Sequence, residues 1–138
     1  MMIDFGQLNW LAIGVSFVVG QVYLTVWFTA IFGEPWAKAY DPTKTKKEHT
    51  KEVPGYTYAI GALCTFLLVL GIATLQAGLG VDSVGAGLGL GTFLAITLAL
   101  ATMIPGYAFL RRWNALVLAA GSQVTLVLIL SVILAVWK

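Results

Sequence analysis

Four uninterrupted apolar stretches constrain this chain more than any other feature. They run over about 8–32, 56–76, 84–104 and 114–137. A bilayer core about 30 Å thick needs about 20 helical residues to cross it, at about 1.5 Å rise each. No Asp, Glu, Lys, Arg or His falls in the central part of any stretch. The chain of 138 residues is 59% hydrophobic and 10% charged, where a soluble domain is about 25% charged. That leaves too little polar surface to cover a globule in water. The expectation is an all-α membrane protein: one domain over 1–138, with four transmembrane helices at those positions and a polar loop at 34–54.

The connections between the runs are short except for 34–54, so consecutive helices become antiparallel neighbours in an up-down-up-down bundle. Gly33-Glu34-Pro35 ends the first run and Pro105-Gly106 the third, because proline has no amide proton to donate. Asp41-Pro42 reads as a helix start, with Asp as N-cap and Pro at the first helical position. A short exposed helix over 42–52 is therefore expected, with a Lys44–Glu48 pair one turn apart. Asp82 reads as a cap for the third span. The opening Met-Met-Ile-Asp-Phe lacks the basic start of a cleavable leader, so the first run is read as a retained helix.

Sidedness follows from lysine and arginine near the ends of the spans. Loop 34–54 carries Lys38, Lys44, Lys46, Lys47 and Lys51, and turn 105–112 carries Arg111 and Arg112. The other side has only Lys138 and the amino terminus. Both loops are expected in the cytoplasm and both termini outside, in a multi-pass protein of the inner (plasma) membrane. Trp36, Tyr40, Tyr56, Tyr58, Tyr107 and Trp113 sit at the basic interface, and Trp10 and Trp137 at the other, as amphipathic rings prefer.

Helices in lipid associate through close packing of small residues and interhelical hydrogen bonds. Gly85 and Gly89 form one small pair, and Gly87, Gly91, Ala95 and Ala99 a stripe on a neighbouring face. Ala12, Ser16 and Gly20 repeat the spacing in the first span. These stripes are expected in helix–helix contacts, within or between chains. The amides of Gln21 and Gln123 would be costly facing lipid. Either they face the bundle and bond to each other or to backbone, or they line a small-molecule pocket with Tyr23, Trp27 and Asn114.

The remaining features exclude more than they assign. Spans free of ionisable groups argue against an energised transporter. No basic stripe exists for nucleic acid, and no nucleophile has a base near it in sequence. His49 with Glu48 and Glu52 is either a loop metal site or, more simply, part of a solvated charge run. Cys64 reads as a small buried side chain that forms no intrachain disulfide. No cofactor is implied. Arg111 and Arg112 serve topology and lipid headgroups, or bind a specific anionic lipid or partner.

One pattern covers most of the chain. Asn9-Trp10-Leu11-Ala12, then Gly20, Tyr23 and Trp27, then Phe32-Gly33-Glu34-Pro35-Trp36-Ala37-Lys38 resemble the opening of a bacterial membrane family known as domain of unknown function 1761. The Gly-rich third run, the turn with Tyr107, Phe109 and Arg111, and Ala119-Ala120-Gly121-Ser122-Gln123 are similar to its later part. Glu34 stands where that family commonly has lysine, and Ser122 where an aromatic is expected. The resemblance implies a four-helix membrane fold and no chemistry.

Three functional classes stay open. The first is a non-catalytic helical module packing in a homo-oligomer or larger membrane complex. The second is a small-molecule or lipid carrier or pore, with its pocket between the first and last spans. The third is a membrane enzyme, for which no residue set is visible. Membrane lipids are the expected surroundings in each case.

Overall fold

A computed structural model describes residues 4–137; Lys138, which enters the sidedness count, and residues 1–3, which bear on a leader, lie outside them. Among the described residues the chain forms six helices and no strand. They are α1 (Trp10–Ile31), α2 (Gly33–Tyr40), α3 (Lys46–Glu52), α4 (Gly55–Leu79), α5 (Val84–Phe109) and α6 (Trp113–Val136). The four long ones, α1, α4, α5 and α6, are long and apolar enough to cross a membrane.

Local chemistry sets the helix ends. The Asn9 side-chain oxygen accepts the Ala12 amide at 3.0 Å and opens α1. Ser83, not Asp82, caps α5, its hydroxyl accepting the Ala86 amide at 3.3 Å; Asp82 lies one residue too early for that role. Gly80 closes α4 at φ +65°, a left-handed conformation that a Cβ would strain.

The proline and aspartate signals act differently from their sequence reading. After α1 the backbone turns at Phe32 and restarts at once as α2. Pro35 then occupies the first turn of α2, where amide protons have no intrahelical partner. Asp41 closes α2 instead of opening a helix: its carboxylate accepts the Thr43 amide at 2.9 Å and hydroxyl at 2.7 Å. The short helix begins later, at Lys46, under a reciprocal capping box between Thr45 and Glu48. Lys44 pairs with Glu52 and, at 3.9 Å, with Asp41, so Glu48 stays free to cap.

The third long helix runs through Pro105 to Phe109, five residues beyond the expected stop. A helix broken at Pro105 would leave several backbone groups without partners, whereas one proline inside a continuous helix removes a single bond. A π-helical segment, Ala95–Leu100, precedes it. Another, Trp27–Ile31, ends α1. Such segments add one residue to a turn and rotate the remainder of the helix about its axis.

The last helix is the hub. Over its most apolar window α6 is 39% buried, against 17–22% for the other three long helices. α1, α4 and α5 each pack on α6, and α1 also packs on α4, while the main packing of α5 is on α6 alone. Register is read from specific contacts. Gly87 meets Ser131 and Ala135, and Gly91 meets Leu128 and Ser131, so numbers rise along α5 as they fall along α6. Gly20 faces Leu126 and Leu130 while Trp27 reaches Leu118, which gives α1 the same relation to α6. The core comprises Ile13, Val69, Ile72, Leu94, Leu126 and Leu130 among others. Large apolar side chains such as Leu11, Val18, Leu63, Phe93, Ile96 and Val117 point outward, as does Cys64. The cysteine lies on the outward side of α4 because the inward positions are taken by Thr65, Val69 and Ile72.

Candidate functional site

Small residues decide where helices touch. Ala12, Ser16 and Gly20 are all buried on α1, and a Cβ on Gly20 would lie 3.0 Å from the Thr65 methyl. Gly87, Gly91 and Ala95 are buried on α5. A Cβ at Gly87 would sit 2.7 Å from the Ala135 Cβ and 2.8 Å from the Ser131 carbonyl oxygen. Gly85 and Gly89 differ: they are exposed, and a Cβ there would meet nothing within 4 Å.

The five residues singled out for a pocket do not come together around one space. Trp27 fills space: its indole N–H donates to the Leu118 carbonyl at 3.2 Å, and its ring lies against Gly121. Tyr23 stacks beside Trp27, ring centroids 5.8 Å apart; its hydroxyl is buried near Thr125 without a hydrogen bond. The Gln21 amide nitrogen is buried and unpartnered. Asn114 is exposed at the start of α6. Gln123 faces away from α1, into a groove of about 540 Å³ between α4 and α5.

That groove has α6 as its floor, with Gln123 and Val127. Leu67, Leu68, Gly71, Ile72 and Leu75 of α4 form one wall. Leu94, Leu98, Ala99, Thr102 and Met103 of α5 form the other. The Thr102 hydroxyl donates to carbonyls of its own helix.

Gln76 was not singled out by sequence, and it is the most buried amide, 2% exposed. Its side-chain N–H donates to the Ser131 carbonyl at 2.7 Å, tying α4 to α6, while its Oε1 has no partner. It borders a second cavity of about 270 Å³ with Gln7, Asn9, Ala12, Leu134 and Trp137. The hydroxyls of Ser16 and Ser131 are also buried without partners.

The basic end is held by defined contacts. Arg112 donates to the Tyr40 carbonyl at 3.1 Å and lies 5.4 Å from the centre of the Tyr40 ring, so much of it is engaged within the chain. Arg111 is exposed, at φ +54°. An aromatic series runs Phe28, Trp36, Tyr40, His49. The Lys46 ammonium donates to the Thr29 carbonyl, and its amide to Glu34. The Thr43 hydroxyl and amide hold the Asp41 carboxyl below its ordinary range, and Thr45 does the same for Glu48. Glu52 pushes the Lys44 ammonium up. With Glu48 capping and Glu52 paired, the loop trio around His49 is otherwise engaged. Among the described residues no three His, Cys, Asp or Glu side chains converge as a metal would require.

The arrangement offers buried neutral polar atoms, the cavities above and a clasped basic end. No curated protein and no solved structure matches the chain. A family model described as "Protein of unknown function (DUF1761)" matches residues 11–135. That match takes in all but the end residues of the four long helices, and the chain belongs to the DUF1761 family.

Proposed function

We propose that this protein is a non-catalytic membrane module that acts by associating with other helices in the bilayer, in a homo-oligomer or a larger complex. Its four long helices cross the inner (plasma) membrane as an up-down-up-down bundle. Both termini lie outside, and segments 34–54 and 105–112 lie on the cytoplasmic side. The antiparallel registers of α1 and α5 against α6 support that topology. The outward leucines, valines and phenylalanines support lipid as the medium.

The observation that carries the reading is the state of α5. One small-residue face of it, Gly87–Gly91–Ala95, is consumed against α6, while Gly85 and Gly89 are left open on a helix whose main packing is on α6 alone. Close helix approach in lipid uses faces of this kind. Native mass spectrometry after gentle extraction tests it. A defined oligomer or a stoichiometric partner is expected, shifted towards monomer by the double variant Gly85→Leu/Gly89→Leu.

A second reading, a small-molecule or lipid carrier with a pocket between α1 and α6, draws on the unpartnered Ser16, Gln21 and Tyr23 groups of α1. A monomer that retains one small molecule at that seam would favour it over the module.

A further inference from the structure

We infer that the groove between α4 and α5 binds a neutral lipid-phase molecule with one extended apolar chain and a hydroxyl or carbonyl group, which hydrogen-bonds to Gln123. The inference rests on the four long helices crossing a bilayer; it does not depend on self-association.

Depth comes first. Gln123 is the eleventh of the 24 residues of α6, about 15 Å from one helix end and about 20 Å from the other at 1.5 Å per residue. That places its amide near the bilayer midplane. Second is its unmet hydrogen bonding. α6 exchanges side-chain hydrogen bonds with α1 and α4 through Trp27 and Gln76, and among the described residues Gln123 makes none. It is only half-buried, on the floor of the groove. An amide in hydrocarbon without a partner costs several kcal/mol, and water is scarce at that depth.

The walls select the occupant. Every lining residue is neutral, so nothing there would compensate a charged ligand. Leu67, Leu68, Leu75, Leu98 and Met103 are long and flexible, and conform to a chain. A docked helix would instead need small residues along both walls. The α4 wall supplies a single small position, Gly71, beside Ala99 and Thr102 on α5. The walls cover eight helical steps of α4 and nine of α5, about 12–14 Å, a length suited to part of one acyl or isoprenoid chain. The amide both donates and accepts, so it can pair with a hydroxyl or a carbonyl.

The test uses the full chain in lipid nanodiscs and two photoreactive probes: a hexadecanol with a diazirine in its chain, and the matching alkane without the hydroxyl. Saturable labelling of α4 and α5 by the alcohol is expected, competed by excess hexadecanol. The alkane should label about tenfold more weakly, the factor one hydrogen bond makes. Gln123→Leu should abolish that preference, and Ala99→Phe, which fills the groove while keeping the amide, should abolish saturable labelling altogether. Equal, non-saturable labelling by both probes would mean bulk lipid contact and would overturn the proposal. So would a groove shielded from both probes in a dimer, which assigns the space to a second copy. Were the chain not to integrate into nanodiscs at all, the membrane reading itself would fail, an outcome distinct from either.

Discussion

The Gly87 contact turns on a single missing side chain. Its Cβ position is already closed by Ala135 and by the Ser131 backbone, so Gly87→Leu must push α5 off α6. A cost of about 1–3 kcal/mol is expected, seen as a lowered midpoint in detergent thermal unfolding. Gly89→Leu, on the open face, should stay within about 0.5 kcal/mol of wild type in the same assay. If the two variants unfold alike, the α5–α6 register is wrong. Trp27→Phe loses both the bond to Leu118 and the far end of the indole that lies against Gly121, and should cost about 1–3 kcal/mol. The small-residue spacing made Gly87 readable from sequence. It could not separate Gly87 from Gly85, because the long helices are apolar around their whole circumference and periodicity does not mark the inward face. Gln76 escaped notice for a related reason. It closes an apolar run, where an amide reads as an interface residue, and only the continuation of α4 to Leu79 places it inside.

At the scale of elements, α3 is the part most open to solution conditions. It has seven residues and no buried side chain, so its caps and charges set its order. The Asp41 and Glu48 carboxyls titrate below their ordinary range. Their contribution is therefore present above the unfolded carboxylate pKa and lost as pH falls through the lowered folded values. Lys44 titrates above its ordinary range, so its contribution is present below the unfolded lysine pKa and lost as pH rises through the raised folded value. α3 is expected to be ordered at neutral pH and to fray at both extremes. Amide chemical shifts of Thr43 and Glu48 in micelles would report this; shifts unmoved by acid would show that the carboxylates do not hold the caps. Thr45→Ala should fray the helix at neutral pH too, by about 1 kcal/mol. The sequence pointed to a helix here, but not to its start. Asp41 and Thr45 are both good caps, and the ion pair of Lys44 with Glu52 together with the Lys46–Glu34 bond selects the later one.

For the whole molecule, the sharpest expectation is sidedness. Cys64 is the one cysteine and faces outward within α4, so a water-soluble maleimide should leave it unlabelled in intact membranes. In a Cys64→Ser background, Lys47→Cys should label only once the cytoplasmic side is opened, and Ser83→Cys from outside without opening. The reverse pattern would invert the topology while leaving every helix contact in place. The clasp of Arg112 on Tyr40 ties segment 34–54 to the start of α6. The two basic segments therefore report on the same side.

Length and hydropathy alone determined that the chain is helical, where its four long helices lie and which ends carry charge. These are properties of consecutive residues, set by what lipid-length apolar runs must do with their backbone groups. Rotation about each helix axis was decided only in the folded state. It made α6 the hub, turned Gly85 and Gly89 outward, sent Gln123 into the α4–α5 groove instead of towards Gln21, and joined Gln76 to Ser131. Uniformly apolar helices carry little information about which face turns inward. That choice is made by close packing, where a glycine opposite a bulky neighbour or an amide opposite a carbonyl fits in only one register.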